Sequence, residues 1–434
     1  MRAIILVALL LVGAVCGVGW AQTEAPPAGD PASAAAVAAE EGPVPVPEPS
    51  EKAMQWYHSG NKLWLFGLVW DLALPAVILF TGFSAWLRDR ARGSGRPWPV
   101  TVGLYWIFFN VAVAIIEFPL NYYRGFVRPH AYGVTEQLFS KFLQDTAISL
   151  ALGCVIGALL IWIPYLLLRR SPKRWWIYVS IIAVPFMIVS MLVQPMYIDP
   201  LFNKFGAMQD KALEAKILAI AERAGIEGGR VYEVAKSVDT KMVNAYVTGF
   251  GGSKRIVLWD TLLQKLDERE ALFVMAHEMG HYVLGHVAKS IAFFTVLLTI
   301  ALYAVHRFSG ALISRYSGRF GFTELSDPAA LPLVMLIVGV LSLVLMPVAM
   351  GYSRMNEHES DRFALEITRD NHAGASAFVK LQQENLGNPR PDWFVKVWRG
   401  SHPTLGDRID FCNSYHPWKD GQAGAYEHLF KEAK

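Results

Sequence analysis

In this 434-residue chain, the segment His277-Glu278-Met279-Gly280-His281 holds two histidines four residues apart with a glutamate directly after the first. On an α-helix, residues i and i+4 lie on one face, so both imidazoles can grip one ion. Zn²⁺ accepts neutral imidazole nitrogens, and a site that does chemistry combines three protein ligands with an open position for water. Glu278 sits beside the first ligand, where it can take a proton from that water. The expected chemistry is hydrolysis assisted by one Zn²⁺ per chain, with His277 and His281 as ligands and Glu278 as general base.

A third ligand has to come from a segment that folds back. Met355-Asn356-Glu357-His358-Glu359-Ser360-Asp361 is the densest acidic cluster of the C-terminal part. Glu357 and Asp361 are four apart. If they share the active face, Glu357 meets the metal and Asp361, one turn on, can hydrogen-bond the free ring nitrogen of a ligating histidine. His358 and Glu359 compete for the ligand role, but each residue turns the helix by about 100°, which points them elsewhere in that arrangement. His286, five residues past His281, falls on a different face of the same helix and is expected to be a helix-end histidine near the membrane surface.

The helix that must carry His277 and His281 is predicted over Asp267 to Leu284, opened by the charged run Asp267-Glu268-Arg269-Glu270 that suits a helix N-terminus. It lies in a polar insert, roughly Pro200 to His286. That insert also holds a helical pattern from Asp210 to Ala224 and two short strands, Val231 to Val234 and Arg255 to Trp259. A polar tail follows from Ser353 to Lys434.

Around these pieces the chain is apolar: 53% of its residues are hydrophobic and its mean hydropathy is +0.30. Soluble domains are nearer about 45–50%. Six segments are long enough to cross a hydrocarbon core of about 30 Å: Leu63 to Leu87, Val100 to Leu120, Ala147 to Leu168, Trp175 to Met196, Val287 to Val305 and Ala330 to Tyr352. Trp98, Tyr105, Trp175, Trp176 and Tyr352 near their ends read as interfacial anchors. Asp71 and Glu117, inside apolar spans, are expected to line an interior cavity. Residues 1–21 read as a signal peptide or a further span, and 22–55 as an Ala/Pro-rich extended tether without chemistry. An N-terminal membrane domain is expected over 56–199. A metalloprotease domain is expected over 200–434, interrupted by two transmembrane helices at 287–305 and 330–352. The fold class is thus mainly α: a multi-span transmembrane bundle with a small α+β zincin-type unit.

Charge and cysteines exclude other classes. A formal net charge of +3 with scattered Lys and Arg gives no basic stripe, so no nucleic-acid partner is expected. Three cysteines, Cys16, Cys154 and Cys412, make neither a thiolate metal site nor a disulfide framework. Arg88, Arg90, Arg92 and Arg96, then Arg169, Arg170, Lys173 and Arg174, then Arg307, Arg315 and Arg319 fall in loops on one side of the membrane. Cytoplasmic loops collect Lys and Arg, so the insert and tail are expected to face the periplasm or exterior, in a bacterial inner membrane if the signal-like start is bacterial.

Taken in order, these motifs resemble the type I CAAX prenyl protease family of membrane-embedded gluzincins, over most of the chain from about Trp56. His277 to His286 (HEMGHYVLGH) is similar to the family's HE-x-GH-x3-GH core, and Gln194 to Phe205 to the stretch that leaves the membrane ahead of its protease domain. Asn244-Ala245-Tyr246 with Gly249, then Ile256 and Asp260-Thr261-Leu262-Leu263, resemble its substrate-side strand and the following turn. Glu357 to Asp361 matches its E-x3-D segment. Ser401-His402-Pro403 with Arg408-Ile409 matches its late SHP-x4-RI element.

The resemblance implies zinc on His277, His281 and Glu357, Glu278 as base, Asp361 behind the ligands and His402 over the site as an oxyanion donor. It also implies that Asn244 and Ala245 offer backbone groups to an extended peptide. Family members have seven spans, a count reached here only if the first apolar run is retained. The Pro-rich tether and signal-like start depart from the family pattern, so hydrophobic or membrane-associated peptides are the expected substrates rather than prenylated proteins. A zinc-binding membrane chaperone with weak proteolysis is the alternative, and the intact Glu278 argues against it.

Overall fold

The computed structural model describes residues 42–93, 95–226, 228–248 and 255–431. The signal peptide or first span expected over 1–21 lies outside these residues. Among the described residues, six helices are long and apolar enough to cross a membrane, and they fall where the six apolar segments were read. They are α1 (Glu51–Phe80), followed by the short α2 (Phe83–Arg92); α3 (Trp98–Tyr122), which runs on through a π turn to Ala131; α4 with α5 (Phe139–Leu160, Trp162–Arg170); α6 (Trp175–Val193); and two helices from the second half of the chain.

The insert forms β1 (Phe205–Ala207), α7 (Lys211–Arg223), β2 (Arg230–Val234), β3 (Ala245–Thr248), β4 (Arg255–Trp259), α8 (Asp260–Lys265) and α9 (Glu268–Val283). The chain then makes the long pair α10 (His286–Phe320) and α11 (Leu331–Thr368). It ends in α12 (Asn371–Glu384), α13 (Trp393–Trp398) and α14 (Leu405–Ser414). The sheet has the order β1-β2-β4-β3, with β2 and β4 parallel and both outer strands antiparallel to their neighbours.

The expected spans underestimate the helices. At 1.5 Å per residue α11 is about 57 Å long and α10 about 52 Å, against a hydrocarbon core of about 30 Å. Past the boundary expected at 352, α11 therefore continues into the polar unit, whereas α10 runs on past 305 at the opposite end of the bundle, toward the Arg-bearing turns. Pro347 sits within α11 without ending it, as neighbouring helices allow in membrane bundles. At the far end of the bundle Arg88 pairs with Asp327 at 2.7 Å and Ser84 donates to the Ala329 carbonyl. Two of the Arg-bearing turns are thereby tied together on the side away from the sheet.

Two further expectations need correcting. Tyr105 is no lipid-facing anchor: it is fully buried and its hydroxyl lies 2.7 Å from Ser84 Oγ. The tether does not stay extended and idle up to residue 55 either. Helix α1 begins at Glu51, capped by Ser50, because the Pro-rich composition stops there. Residues 42–50 lie on the polar unit, where Asn413 bonds both the N–H and the C=O of Val44, at 3.0 and 2.8 Å. Gln382 donates to the Pro47 carbonyl at 2.9 Å, and Val44 and Val46 pack against the core of that unit. That core gathers Ile217, Ile256, Leu258, Phe273, Met279, Phe363 and Phe378, and so joins the sheet to α7, α9, α11 and α12.

Candidate active site

Helix α9 starts on a capping box. The Asp267 side chain accepts from the Glu270 N–H, and the Glu270 side chain accepts from the Asp267 N–H. It stops at Gly285, whose φ of +67° only glycine adopts without strain. Between those signals Ala271, Met275 and Met279 are buried along one face and Phe273 on the opposite one. His277 and His281 are thereby carried to where α11 crosses. Gly280 makes that crossing possible: a Cβ there would stand 3.2 Å from both Phe363 Cβ and Ser360 Cα.

At the crossing α11 delivers Glu357. Its Oε2 lies 3.2 Å from His277 Nε2 and its Oε1 3.5 Å from His281 Nε2, while the two Nε2 atoms are 3.2 Å apart. One ligand atom from each of the three residues can be chosen so that all lie within 4.8 Å of one another. Glu357 is buried and its Oε2 accepts no hydrogen bond, although imidazole nitrogens of His277 and His402 stand 3.2 and 3.3 Å away. A buried carboxylate oxygen with lone pairs unanswered by any donor, facing two imidazoles, is a donor set suited to a divalent cation.

The electrostatics fit the same ion. Loss of hydration pushes the His281 imidazole down to about 3, so the ring is neutral, the form that ligates metal. Burial works against charge on His277 too, but the hydrogen bond with Asp361 and the nearby negative charge of Glu357 outweigh it and raise that ring to about 10. The pocket thus favours positive charge at this spot. Behind it, Asp361 Oδ1 accepts from His277 Nδ1 at 2.9 Å, which turns Nε2 toward Glu357. Glu278, between the two histidines, has its carboxyl pushed up to about 7 by loss of hydration, against the pull of His277.

Of the residues named from the family resemblance, His402 faces Glu357 Oε2 at 3.3 Å, and its Nδ1 lies 2.8 Å from Ser401 Oγ. Asn244 is arranged otherwise than expected, while Ala245 faces the open edge. The Asn244 carbonyl points into the sheet and accepts from the Trp259 N–H. Since Ala245 pairs with Leu258 and Val247 with Ile256 in antiparallel register, alternation turns the backbone groups of Ala245 and Val247 to the open edge. The Ala245 N–H is taken by the Asn244 side chain at 2.8 Å, and Val247 makes a backbone hydrogen bond to Glu278. The free edge of β3 therefore runs past Glu278, presented by Ala245 and Val247 rather than by the backbone of Asn244.

Arg408 is the residue whose place the sequence did not give. It is buried, grips both oxygens of Asp361 at 2.6 and 2.8 Å, and lies 4.0 Å over the Phe378 ring. His286 was expected on the same helix as His281; Gly285 separates them, and His286 opens α10 instead.

Comparisons with known proteins agree with this arrangement. Residues 207–415 match the model of peptidase family M48, and residues 47–204 match that of the CAAX prenyl protease N-terminal region, five membrane helices. A Bacillus subtilis protein named as an uncharacterized metalloprotease is 35% identical over 371 residues, covering 85% of this chain and 86% of its own. The CAAX prenyl protease 1 homolog of Dictyostelium discoideum is 32% identical over 343 residues, with 77% and 78% covered. The crystal structure of S. mikatae Ste24p shares the fold, with a TM-score of 0.72 over 83% of this chain and 87% of that one, at 23% identity.

Proposed function

The chain belongs to peptidase family M48 and is a multi-span membrane metalloendopeptidase; from that premise we propose that one Zn²⁺ sits on His277, His281 and Glu357 and that Glu278 moves the protons of peptide-bond hydrolysis. The observation that carries this reading is the Glu357 carboxylate, its Oε2 unanswered, with His277 at Oε2 and His281 at Oε1, both on the one helix that also bears Glu278. Zn²⁺ bound there supplies a Lewis acid for the scissile carbonyl and lowers the pKa of water.

The protein's own groups do the rest. A carboxyl whose pKa lies near neutrality both takes and returns a proton readily, so Glu278 accepts one from the attacking water and passes it to the leaving amine. Positive charge held by the neighbouring imidazoles would favour the base form of Glu278 before attack. Ser401 Oγ lies 2.8 Å from His402 Nδ1, and in the tautomer in which the hydroxyl donates, the ring proton is on Nε2, directed at the site. From there it stabilises the negative charge that develops on the carbonyl oxygen. Asp361 and Arg408 hold His277 in one tautomer. An extended peptide adds to the open edge of β3, where Ala245 and Val247 present backbone groups beside Glu278.

Substrates are hydrophobic or membrane-associated peptides, because α11, which carries Glu357, continues directly into a candidate membrane span and α9 is joined to another through Gly285. The relatives named CAAX prenyl proteases support a lipid-proximal substrate without fixing its chemistry. The Arg-rich turns at the opposite end of the bundle support a site on the periplasmic face of a bacterial inner membrane. Membranes from cells carrying the protein or its Glu278→Gln variant, compared by peptide mass spectrometry, test this class. Hydrophobic membrane peptides are expected to persist uncleaved in the variant, and accumulation confined to soluble cytoplasmic peptides contradicts it.

A further inference from the structure

His286 is 3% exposed, has no part in the hydrolysis just described, and touches the site from behind. Its Nδ1 lies 3.0 Å from His281 Nδ1, and its Nε2 lies 2.9 Å from Glu359 Oε2. Two facing ring nitrogens share one proton, so the order of protons along this line is constrained. His281 directs Nε2 at Glu357 and His277, which leaves its own proton on Nδ1. That Nδ1–H donates to His286 Nδ1, the remaining proton of His286 is then on Nε2, and Nε2–H donates to Glu359. No other arrangement of neutral rings keeps His281 Nε2 free and both hydrogen bonds made.

We infer that His286 and Glu359 are positioning residues for His281: a carboxylate–histidine relay that fixes the tautomer and ring angle of the second imidazole ligand, as Asp361 does for the first. The geometry of the helix crossing makes the two relays counterparts. Ser360 Cα lies 3.2 Å from where a Cβ on Gly280 would stand, at the crossing of α11 and α9. Asp361, one residue on, reaches back to His277, and Glu359, one residue before, reaches His286 on the other side. The left-handed Gly285 is what brings His286 into line, since it ends α9 and starts α10 at that residue. The relay rests on the reading of His281 as a metal ligand.

The test is zinc affinity of the full-length, detergent-solubilised protein, measured by competition with a chromophoric chelator, together with the visible spectrum of the Co²⁺-loaded form. Partners behind metal ligands are typically worth about 10–100-fold in metal affinity. His286→Ala and Glu359→Ala are expected to weaken zinc by that factor at unchanged stoichiometry and to shift the Co²⁺ bands. Glu359→Gln keeps a carbonyl acceptor for His286 Nε2–H and is expected to stay within about threefold of the parent.

Parent-like affinity and spectrum in both alanine variants, with binding lost in His281→Ala, would overturn the relay and leave the metal site standing. Parent-like zinc binding in His281→Ala instead removes the metal reading itself. Glu359 has a side chain 33% exposed, so its alanine variant decides the matter if His286→Ala does not fold.

Discussion

Asp361 and Arg408 meet as a two-pronged ion pair, Oδ1 to Nη2 at 2.6 Å and Oδ2 to Nε at 2.8 Å, and the same Oδ1 accepts from His277 Nδ1. Both side chains are buried, so neither charge is tolerable alone. Removing one partner of such a pair costs about 3–5 kcal/mol because the other is left uncompensated. Arg408→Ala is expected to lower the thermal midpoint in detergent by several degrees and to weaken zinc, since a carboxylate freed from arginine no longer fixes the His277 ring. Arg408→Lys should recover part of the stability and little of the geometry, because an ammonium cannot grip both oxygens. Thermal unfolding and chelator competition on the three proteins check both statements.

Gly280 offers a different kind of test. A methyl group there meets Phe363 and the Ser360 backbone at 3.2 Å, and backbone cannot step aside as a flexible side-chain end can. Overpacking of this sort costs about 1–3 kcal/mol. Gly280→Ala is expected to destabilise the protein by that amount and to cut kcat more than KM, since the two helices it forces apart carry His277 and Glu357. Steady-state kinetics with a fluorogenic peptide, alongside thermal melts, separates the two effects; unchanged kcat would remove Gly280 from the account of the site.

The strap at 42–50 hangs on few bonds. Asn413→Ala removes both hydrogen bonds that hold the Val44 backbone; at about 1 kcal/mol each, their loss should release the strap without unfolding the helices. Limited proteolysis is expected to cut the variant near residues 42–50 much faster than the parent. Equal cutting rates contradict a docked strap.

Asp370 gives a pH signature. It caps α12 through the Ala373 N–H and pairs with Arg269 at 2.7 Å. Burial pushes its pKa up, but those bonds outweigh burial and hold the carboxyl below its ordinary value. A carboxylate whose folded pKa lies below the unfolded value of about 3.9 stabilises above that pH and loses its contribution as pH falls through the folded value. Asp370→Ala should therefore destabilise the protein at pH 7, by about 1 kcal/mol from the cap alone, and lower its melting point. The gap to the parent should narrow below pH 4.

Much of this architecture is legible in the chain because its signals are local. Apolar runs mark the spans, the Asp267 to Glu270 box marks the start of α9, and the His277 and His281 spacing places both rings on one face. The third carboxylate is accessible too, through the four-residue spacing of Glu357 and Asp361, although the sequence does not tell that it rides on the last membrane helix.

What escapes is long-range. Arg408 matters through Asp361, 47 residues away, and no period or spacing announces such a pair. The outer edge of β3 depends on which way the Asn244 carbonyl turns, a matter of pairing register. Tyr105 has the composition of an interfacial anchor, yet a buried serine twenty-one residues earlier claims its hydroxyl. His286 was misplaced because one glycine in the left-handed region broke a helix that periodicity alone would have continued.

The central claim is a zinc endopeptidase whose proton carrier is Glu278, and one paired measurement tests it most directly: zinc content and peptide cleavage of the purified protein in proteoliposomes, parent against Glu278→Gln. One zinc per chain in both proteins is predicted, with cleavage of a hydrophobic peptide reduced by at least about a thousandfold in the variant, roughly 4 kcal/mol of lost transition-state stabilisation. Full cleavage by Glu278→Gln at equal zinc content, or parent activity without zinc, contradicts it.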